Sequence, residues 1–133
     1  MSEPLDRDPE SLGPDAISFV TDRRLATLTT LRSDGTPHVV PVGFTYDPDL
    51  RLVRIITRAG SRKVANLGQG HRAAVSQIDG PRWITFEGHA VVTDEESRVA
   101  EAVRRYAQRY REPEPRDDRV AIELSVDRVM GRV

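Results

Sequence analysis

The chain has 133 residues, of which 38% are hydrophobic and 31% charged, and a formal net charge of −1; this composition is typical of one folded domain with its own core. It contains no apolar run near the ~20 residues of a membrane-spanning helix and no cysteine for disulfides, thiolate metal sites or cysteine nucleophiles. Its polar, acidic N-terminus predicts a tail and not a signal peptide. We therefore expect a cytoplasmic protein without a membrane partner.

The order of the predicted elements follows from the hydrophobic period. Residues 1–13 are mostly polar and predict a disordered tail, and residues 14–133 predict a single domain. Apolar and polar residues alternate in most segments, which is typical of strands, and change to a helical period in three of them. In chain order we expect a helix over 14–24, strands over 25–32, 37–47 and 51–58, a short helix over 61–67, strands over 72–78 and 83–92, a helix over 94–111 and a strand over 119–129.

Turn and cap residues indicate how these elements connect. Asp34 and Gly35 are typical of a tight hairpin turn, Ser61 can cap the short helix, and Thr93 with Glu96 has the spacing of a capping box. Consecutive hairpins with one long helix near the end predict a mainly β fold, a six-stranded antiparallel sheet curled into a barrel with helices outside. Six strands enclose too little space for a large ligand, so we expect a ligand on the outer wall or between subunits.

The segment TRAGSRKVANL, residues 57–67, has an unusual charge pattern. Its surroundings, from Leu50 to Ile78, contain no Asp or Glu. The basic residues of this stretch are Arg51, Arg54, Arg58, Arg62, Lys63 and Arg72. Lys63 is the only lysine among 20 basic residues, and a compact ammonium suits a phosphate. Because cations repel the positive start of a helix, free N–H groups, the Ser61 hydroxyl and Lys63 predict a phosphate site here; a solvated basic edge explains the same pattern.

Two strands carry further candidates for a binding surface. His38 and Val40 share one face of the second strand, and Pro41 removes a backbone donor, which favours a sheet edge or a bulge. A surface histidine is favoured over an acid–base role for His38, while the strand suits the wall of a flat ligand. Trp83 is either a cap of the core or a plate against a ring system, and Gln77 can hydrogen-bond a heteroaromatic edge.

The last helix ends in RRYAQRYRE, a sequence with two possible meanings. Arginines interleaved with Tyr106 and Tyr110 suggest nucleic acid. However, acidic residues at the start of this helix and arginines at its end match the helix dipole, and tyrosines four residues apart can pack on each other. We therefore expect no nucleic-acid partner.

Motifs that would support catalysis by side chains alone are missing from the sequence. It has no dinucleotide-binding glycine motif, P-loop, serine-nucleophile elbow or zinc-protease motif, and its three histidines lack metal-ligand spacing. An enzyme with this sequence therefore needs a bound cofactor to supply the chemistry.

Several of these segments resemble the pyridoxamine-phosphate-oxidase-like flavin and deazaflavin proteins. The matching stretches are LTTLR, PHVV, VGFT, GS followed by Lys63, SQ with DG and RW, EG, and RYAQRYR, and they extend over most of residues 14–133. They are most similar to the actinobacterial branch that uses the deazaflavin coenzyme F420. The resemblance implies a split β-barrel that forms a homodimer and binds its cofactor at the dimer interface.

The resemblance also implies roles for individual residues. Thr57, Ser61, Arg62 and Lys63 would bind the cofactor phosphate, with Ile56 flanking them. His38, Val39, Val40 and Pro41 would lie along the flat ring, and Gln77, Trp83 and Gln108 would reach the cofactor from neighbouring elements. Arg82 and Arg109 are candidate proton donors, no residue is assigned to catalysis, and no metal is expected.

The activity that the resemblance implies is a hydride transfer from reduced coenzyme F420 to a small conjugated acceptor such as biliverdin. Two alternatives stay open from the sequence. One is an oxidoreductase that binds FMN on the same scaffold, and the other is a carrier that binds F420 without catalysis.

Overall fold

The computed structural model describes residues 6–133, and within them eight strands and three helices. The strands are β1 Asp6–Arg7, β2 Ala26–Leu31, β3 Pro37–Val42, β4 Thr45–Asp47, β5 Leu52–Arg58, β6 His71–Asp79, β7 Arg82–Thr93 and β8 Arg119–Arg132. The helices are α1 Pro14–Thr21, α2 Arg62–Leu67 and α3 Glu96–Arg109. Residues 1–5 of the predicted tail lie outside the described residues. The predicted disorder is wrong for Asp6 and Arg7, because β1 pairs with Met130 and Val129 of β8.

All strands belong to one antiparallel sheet. Its order is β3-β2-β6-β7-β8-β5-β4, and β1 pairs with β8 beside this path. The hairpin turn at Asp34 and Gly35 is as predicted: Gly35 has φ 87°, and the Arg32 N–H donates to the Thr36 carbonyl at 2.8 Å. The predicted fold class, antiparallel β with flanking helices, is confirmed, whereas the predicted number of six strands is wrong.

The predicted strand over 37–47 is two strands, which accounts for part of that error. β3 and β4 lie at the two opposite edges of the sheet, although only Gly43 and Phe44 separate them. The sheet must therefore curl until its edges come together at this connection. The chain leaves the ladder here because α3 takes the backbone groups of Phe44: its N–H donates to the Tyr110 hydroxyl at 3.2 Å, and its carbonyl accepts from Arg109 at 2.5 Å.

The helices begin and end close to the predicted positions. α1 starts at Pro14, and α2 follows Ser61, although the Ser61 hydroxyl makes no capping bond. α3 starts at Glu96, two residues after the predicted position, because the Thr93 hydroxyl accepts from the Glu95 N–H at 3.1 Å and Glu95 becomes the cap residue. The predicted capping box is therefore wrong.

The core lies on the inner face of the curled sheet and under α1. The inward residues alternate along the strands, as their period predicts. The largest fully buried apolar side chains are Phe19, Phe44, Phe86, Leu28, Ile55, Leu67, Ile84, Ile122 and Leu124. Phe44 and Phe86 meet edge to face with centroids 6.0 Å apart. None of the helices in residues 6–133 has the length and apolar character to span a bilayer.

Candidate functional site

A cavity of about 420 Å³ opens where the sheet edge, α2 and the segment after α3 meet. We call it the Lys63 cavity. Its lining residues are Pro41, Val42, Gly43, Ile56, Thr57, Arg58, Lys63, Tyr106, Arg111, Pro113, Glu114, Arg116 and Arg119. Four residues predicted to bind a cofactor come together there: Pro41, Ile56, Thr57 and Lys63.

Lys63 has the environment of a cation that lacks its counter-ion. Its side chain is half-buried, and within residues 6–133 it forms no ion pair or hydrogen bond. Burial lowers the pKa of Lys63, and the charge of Arg58 lowers it further. A desolvated ammonium next to a like charge is unfavourable, so an anion bound at this corner would stabilise the folded protein.

The Lys63 cavity contains further cations besides Lys63; sequence reasoning identified Arg58 but missed Arg116 and Arg119. Arg58 and Arg119 lie directly opposite each other in the β5–β8 ladder, a placement that repels. Arg119 donates to the Glu114 carbonyl at 2.7 Å, and Arg116 pairs with Asp118 at 2.9 Å. The segment 112–116, EPEPR, contributes Pro113, Glu114 and Arg116 to the lining of this cavity, and its density of charges is a signal of a polar surface that the sequence contains.

The four residues predicted to bind a phosphate are only partly brought together. Thr57 and Lys63 line the Lys63 cavity. Ser61 is 6% exposed, and its hydroxyl oxygen accepts from Thr57 at 3.4 Å, so it lies beneath the surface and supports Thr57. Arg62 is exposed and lines a neighbouring cavity of about 350 Å³ together with Arg32 and His71.

The residues predicted to lie along a flat ring occupy the edge strand β3. The outer edge of β3 has no neighbouring strand in the sheet that residues 6–133 form. This confirms the edge position, one of the two explanations of Pro41. Val39 is 56% exposed, whereas His38 and Val40 are half-buried. The His38 Nδ1 atom is buried without a hydrogen-bond partner among the described residues. Of these four residues, Pro41 lines the Lys63 cavity.

The three remaining predicted residues lie away from the Lys63 cavity. Gln77 is fully buried; its amide N–H donates to the Phe19 carbonyl, and its oxygen accepts from Arg109, each at 2.7 Å. Neither end of this amide is free for a ligand. Trp83 is half-buried on β7 opposite Ile78, and Gln108 lines a separate cavity of about 170 Å³ beside α1 and α3.

The RYAQRYR segment attaches the end of α3 to the connection between β3 and β4. Arg109 donates to the carbonyls of Asp22 and Phe44 and to Gln77, and burial lowers its pKa. Tyr106 and Tyr110 pack with centroids 4.9 Å apart, as predicted. Arg109 is therefore occupied by structural contacts, which argues against it as a proton donor.

Comparisons with known proteins agree with this geometry. A family model described as pyridoxamine 5'-phosphate oxidase matches residues 13–132, so the chain belongs to that family. It is 49% identical over 120 residues to a Mycobacterium tuberculosis protein named F420H(2)-dependent biliverdin reductase, and the match covers 90% of this chain and 88% of the relative.

Solved structures show the same fold. A conserved hypothetical protein from Mycobacterium tuberculosis superposes with a TM-score of 0.78 at 22% identity, covering 96% of this chain and 88% of that one. A protein described as an F420 reductase superposes with a TM-score of 0.69 at 25% identity, covering 89% of this chain and 98% of that one.

Proposed function

We propose that this protein is an F420-dependent oxidoreductase that transfers a hydride from the reduced deazaflavin to biliverdin. The observation that carries the proposal is the 49% identity, over nearly the whole of both chains, to a protein named for that reaction. The site agrees with it, because it contains an uncompensated half-buried cation and no side-chain catalytic motif.

The residues of the Lys63 cavity fit the phosphate end of such a cofactor. Lys63 lacks a counter-ion within the described part of the chain, and a phosphate would supply one. We assign Lys63 and Thr57 to the phosphate, with Ser61 supporting Thr57 and Arg62 adding charge from outside. Ile56 flanks this group.

We assign the ring of the cofactor to the edge strand β3. An edge strand offers unpaired backbone groups, and His38, Val39, Val40 and Pro41 lie on it beside the phosphate corner. The unpartnered Nδ1 atom of His38 is a further polar group for this surface. When bound, the deazaflavin supplies the hydride, and the protein binds and orients the two reactants.

We also propose the homodimer that the family resemblance implies, with Trp83 reaching the cofactor at the dimer interface. The exposed apolar Val39 on an open sheet edge supports a surface that a second copy covers. Sedimentation equilibrium tests this proposal, and a monomer at micromolar concentration would contradict it.

Titration with cofactors tests the proposed function. The purified protein is titrated with F420 and with FMN, and biliverdin is then added to the complex with reduced F420. We expect saturable binding of F420 and loss of the biliverdin absorption band, with bilirubin as the product. Preference for FMN would favour the FMN-dependent alternative, and tight F420 binding without turnover would favour the carrier.

A further inference from the structure

A second groove adjoins the Lys63 cavity, and none of the roles assigned so far uses it. It has a volume of about 300 Å³, and we call it the Arg111 groove. Its lining residues are Arg23, Arg24, Leu25, Tyr106, Tyr110 and Arg111. We infer that this groove binds the carboxylate-bearing side of the acceptor, with Arg23 and Arg111 as its anion ligands; this inference rests on the proposed function.

The charges of the groove are cationic and largely unused. Arg23 and Arg111 are exposed and make no ion pair or side-chain hydrogen bond within residues 6–133. Arg24 differs from them, because it pairs with Asp79 at 3.0 Å. Two free guanidinium groups in one groove are suited to carboxylates, which they can bind through two parallel hydrogen bonds.

The same groove offers an apolar, aromatic surface. Leu25 is 63% exposed, and the packed rings of Tyr106 and Tyr110 lie beside it. Both rings are held in place: the Tyr110 hydroxyl donates to the Arg24 carbonyl at 2.6 Å, and the two rings pack closely over Gly43. A rigid aromatic wall with flanking cations favours a flat, conjugated anion over a small inorganic one.

The position of the Arg111 groove indicates that its ligand is the acceptor. Tyr106 and Arg111 line both the Arg111 groove and the Lys63 cavity. Pro41 of β3, the strand to which we assign the cofactor ring, also lines the Lys63 cavity. A molecule stacked on the ring can therefore extend past Tyr106 into the groove. The groove is too small for a whole tetrapyrrole, so it receives the part that carries the propionate groups.

A double-mutant cycle tests this assignment. Arg23→Gln, Arg111→Gln and the double variant are titrated with biliverdin and with its dimethyl ester in the presence of oxidised F420, and quenching of Trp83 fluorescence reports binding without turnover. Arg128→Gln is the control, because Arg128 is an exposed arginine that pairs with Asp6 and lines neither cavity. Thermal unfolding confirms that each variant is folded.

Replacing either arginine should weaken biliverdin binding about tenfold, which is the effect of losing one hydrogen bond to a charged group. The dimethyl ester should bind the wild type more weakly than biliverdin, and this difference should disappear in the double variant. The control should bind both molecules like the wild type, and F420 affinity should be unchanged in Arg23→Gln, because Arg23 lines the groove and not the Lys63 cavity.

Three results would overturn the assignment, and they differ from one another. If the double variant binds biliverdin like the wild type while turnover persists, the groove is not the acceptor site and the proposed function stands. If instead both arginine variants lose F420 affinity, the groove holds the carboxylates of the cofactor tail. If the wild type binds F420 but neither binds nor reduces biliverdin, the proposed function fails as well.

Discussion

Lys63 shows how one residue can oppose stability and support binding. Its ammonium is half-buried, lies near Arg58 and has no partner in residues 6–133. Because its pKa is lowered in the folded protein, its charge destabilises the fold without ligand below that folded pKa, and the effect diminishes as the pH rises through it. A phosphate at this position would remove the conflict.

Replacing Lys63 should therefore separate cofactor binding from stability. We expect Lys63→Ala to weaken F420 binding at least tenfold, the order expected for one charge-assisted hydrogen bond, while the thermal midpoint without ligand is not lowered. Fluorescence titration and thermal unfolding measure the two quantities. A deazaflavin without the phosphate ester should bind wild type and variant equally, and Arg128→Ala is the control for general charge effects. If Lys63→Ala binds F420 as tightly as the wild type, the cofactor phosphate does not bind at Lys63.

The connection between β3 and β4 is the element on which both the barrel and the Lys63 cavity depend. It carries the chain from one edge of the sheet to the other, and α3 packs directly on it. A Cβ atom at Gly43 would lie 3.0 Å from the ring of Tyr106 and 3.1 Å from that of Tyr110. The absence of a side chain at Gly43 therefore lets α3 approach this connection. The rings of Tyr106 and Tyr110 occupy the space that a Cβ atom would need.

Adding one methyl group should disturb this packing. We expect Gly43→Ala to lower the free energy of unfolding by about 1–3 kcal/mol, as overpacking does, and to weaken cofactor binding because Gly43 and Tyr106 line the Lys63 cavity. Urea unfolding and F420 titration measure these effects. Gly13→Ala is the matched control for packing, since nothing lies within 4 Å of its added Cβ. Gly13 is the N-cap residue of α1, where Ala is less favourable than Gly, so its effect should stay below about 1 kcal/mol. Equal stabilities of the two variants would contradict the close approach of α3.

For the whole molecule, a buried ion network joins α3 to the sheet edge. Asp47 of β4 is 3% exposed and accepts from Arg54 at 3.0 Å and from Arg105 of α3 at 3.1 Å. Burial alone would raise the pKa of Asp47, but the hydrogen bond from Arg54, the backbone N–H of Leu50 and the nearby cations outweigh it, so the pKa is lowered from 3.8. Hydrogen bonds from Arg104 and Arg105 likewise lower the pKa of Glu101 to about 2.

These shifts determine how the stability of the molecule depends on pH. A carboxylate with a lowered folded pKa stabilises the fold above its unfolded pKa, and the contribution is lost as the pH falls through the folded value. We expect Asp47→Asn to cost about 3 kcal/mol at pH 7, the cost of breaking a buried pair, and the difference from wild type to shrink below pH 4. Urea unfolding at pH 7, 5 and 3 measures it. Asp49→Asn, at a neighbouring exposed position, is the control and should change the free energy of unfolding by less than about 0.5 kcal/mol at each pH. If the loss of stability in Asp47→Asn is as large at pH 3 as at pH 7, the ionised Asp47 carboxylate is not its cause.

Local signals in the sequence were sufficient for the strands and turns. The alternation in residues 26–31, the Asp34–Gly35 turn and the edge position of Pro41 depend only on neighbouring residues, and the structure has all three. The concentration of cations around Lys63 could likewise be predicted, because these residues are close together in the sequence. The segment 37–47 failed the same reasoning, because its alternation continues across Gly43 although the hydrogen bonds of Phe44 go to α3.

The sequence by itself therefore determined most of the elements, the fold class and the cationic corner, since each follows from side-chain period, backbone preference or charge within a few residues. Only the tertiary structure decided which distant groups share a surface. Gln77 and Arg109 are 32 residues apart in the chain, and their pairing gives structural roles to a predicted cofactor-binding residue and to a candidate proton donor. Arg111 and Arg119 join Lys63 only because the sheet curls, and closure of a sheet depends on every strand at once.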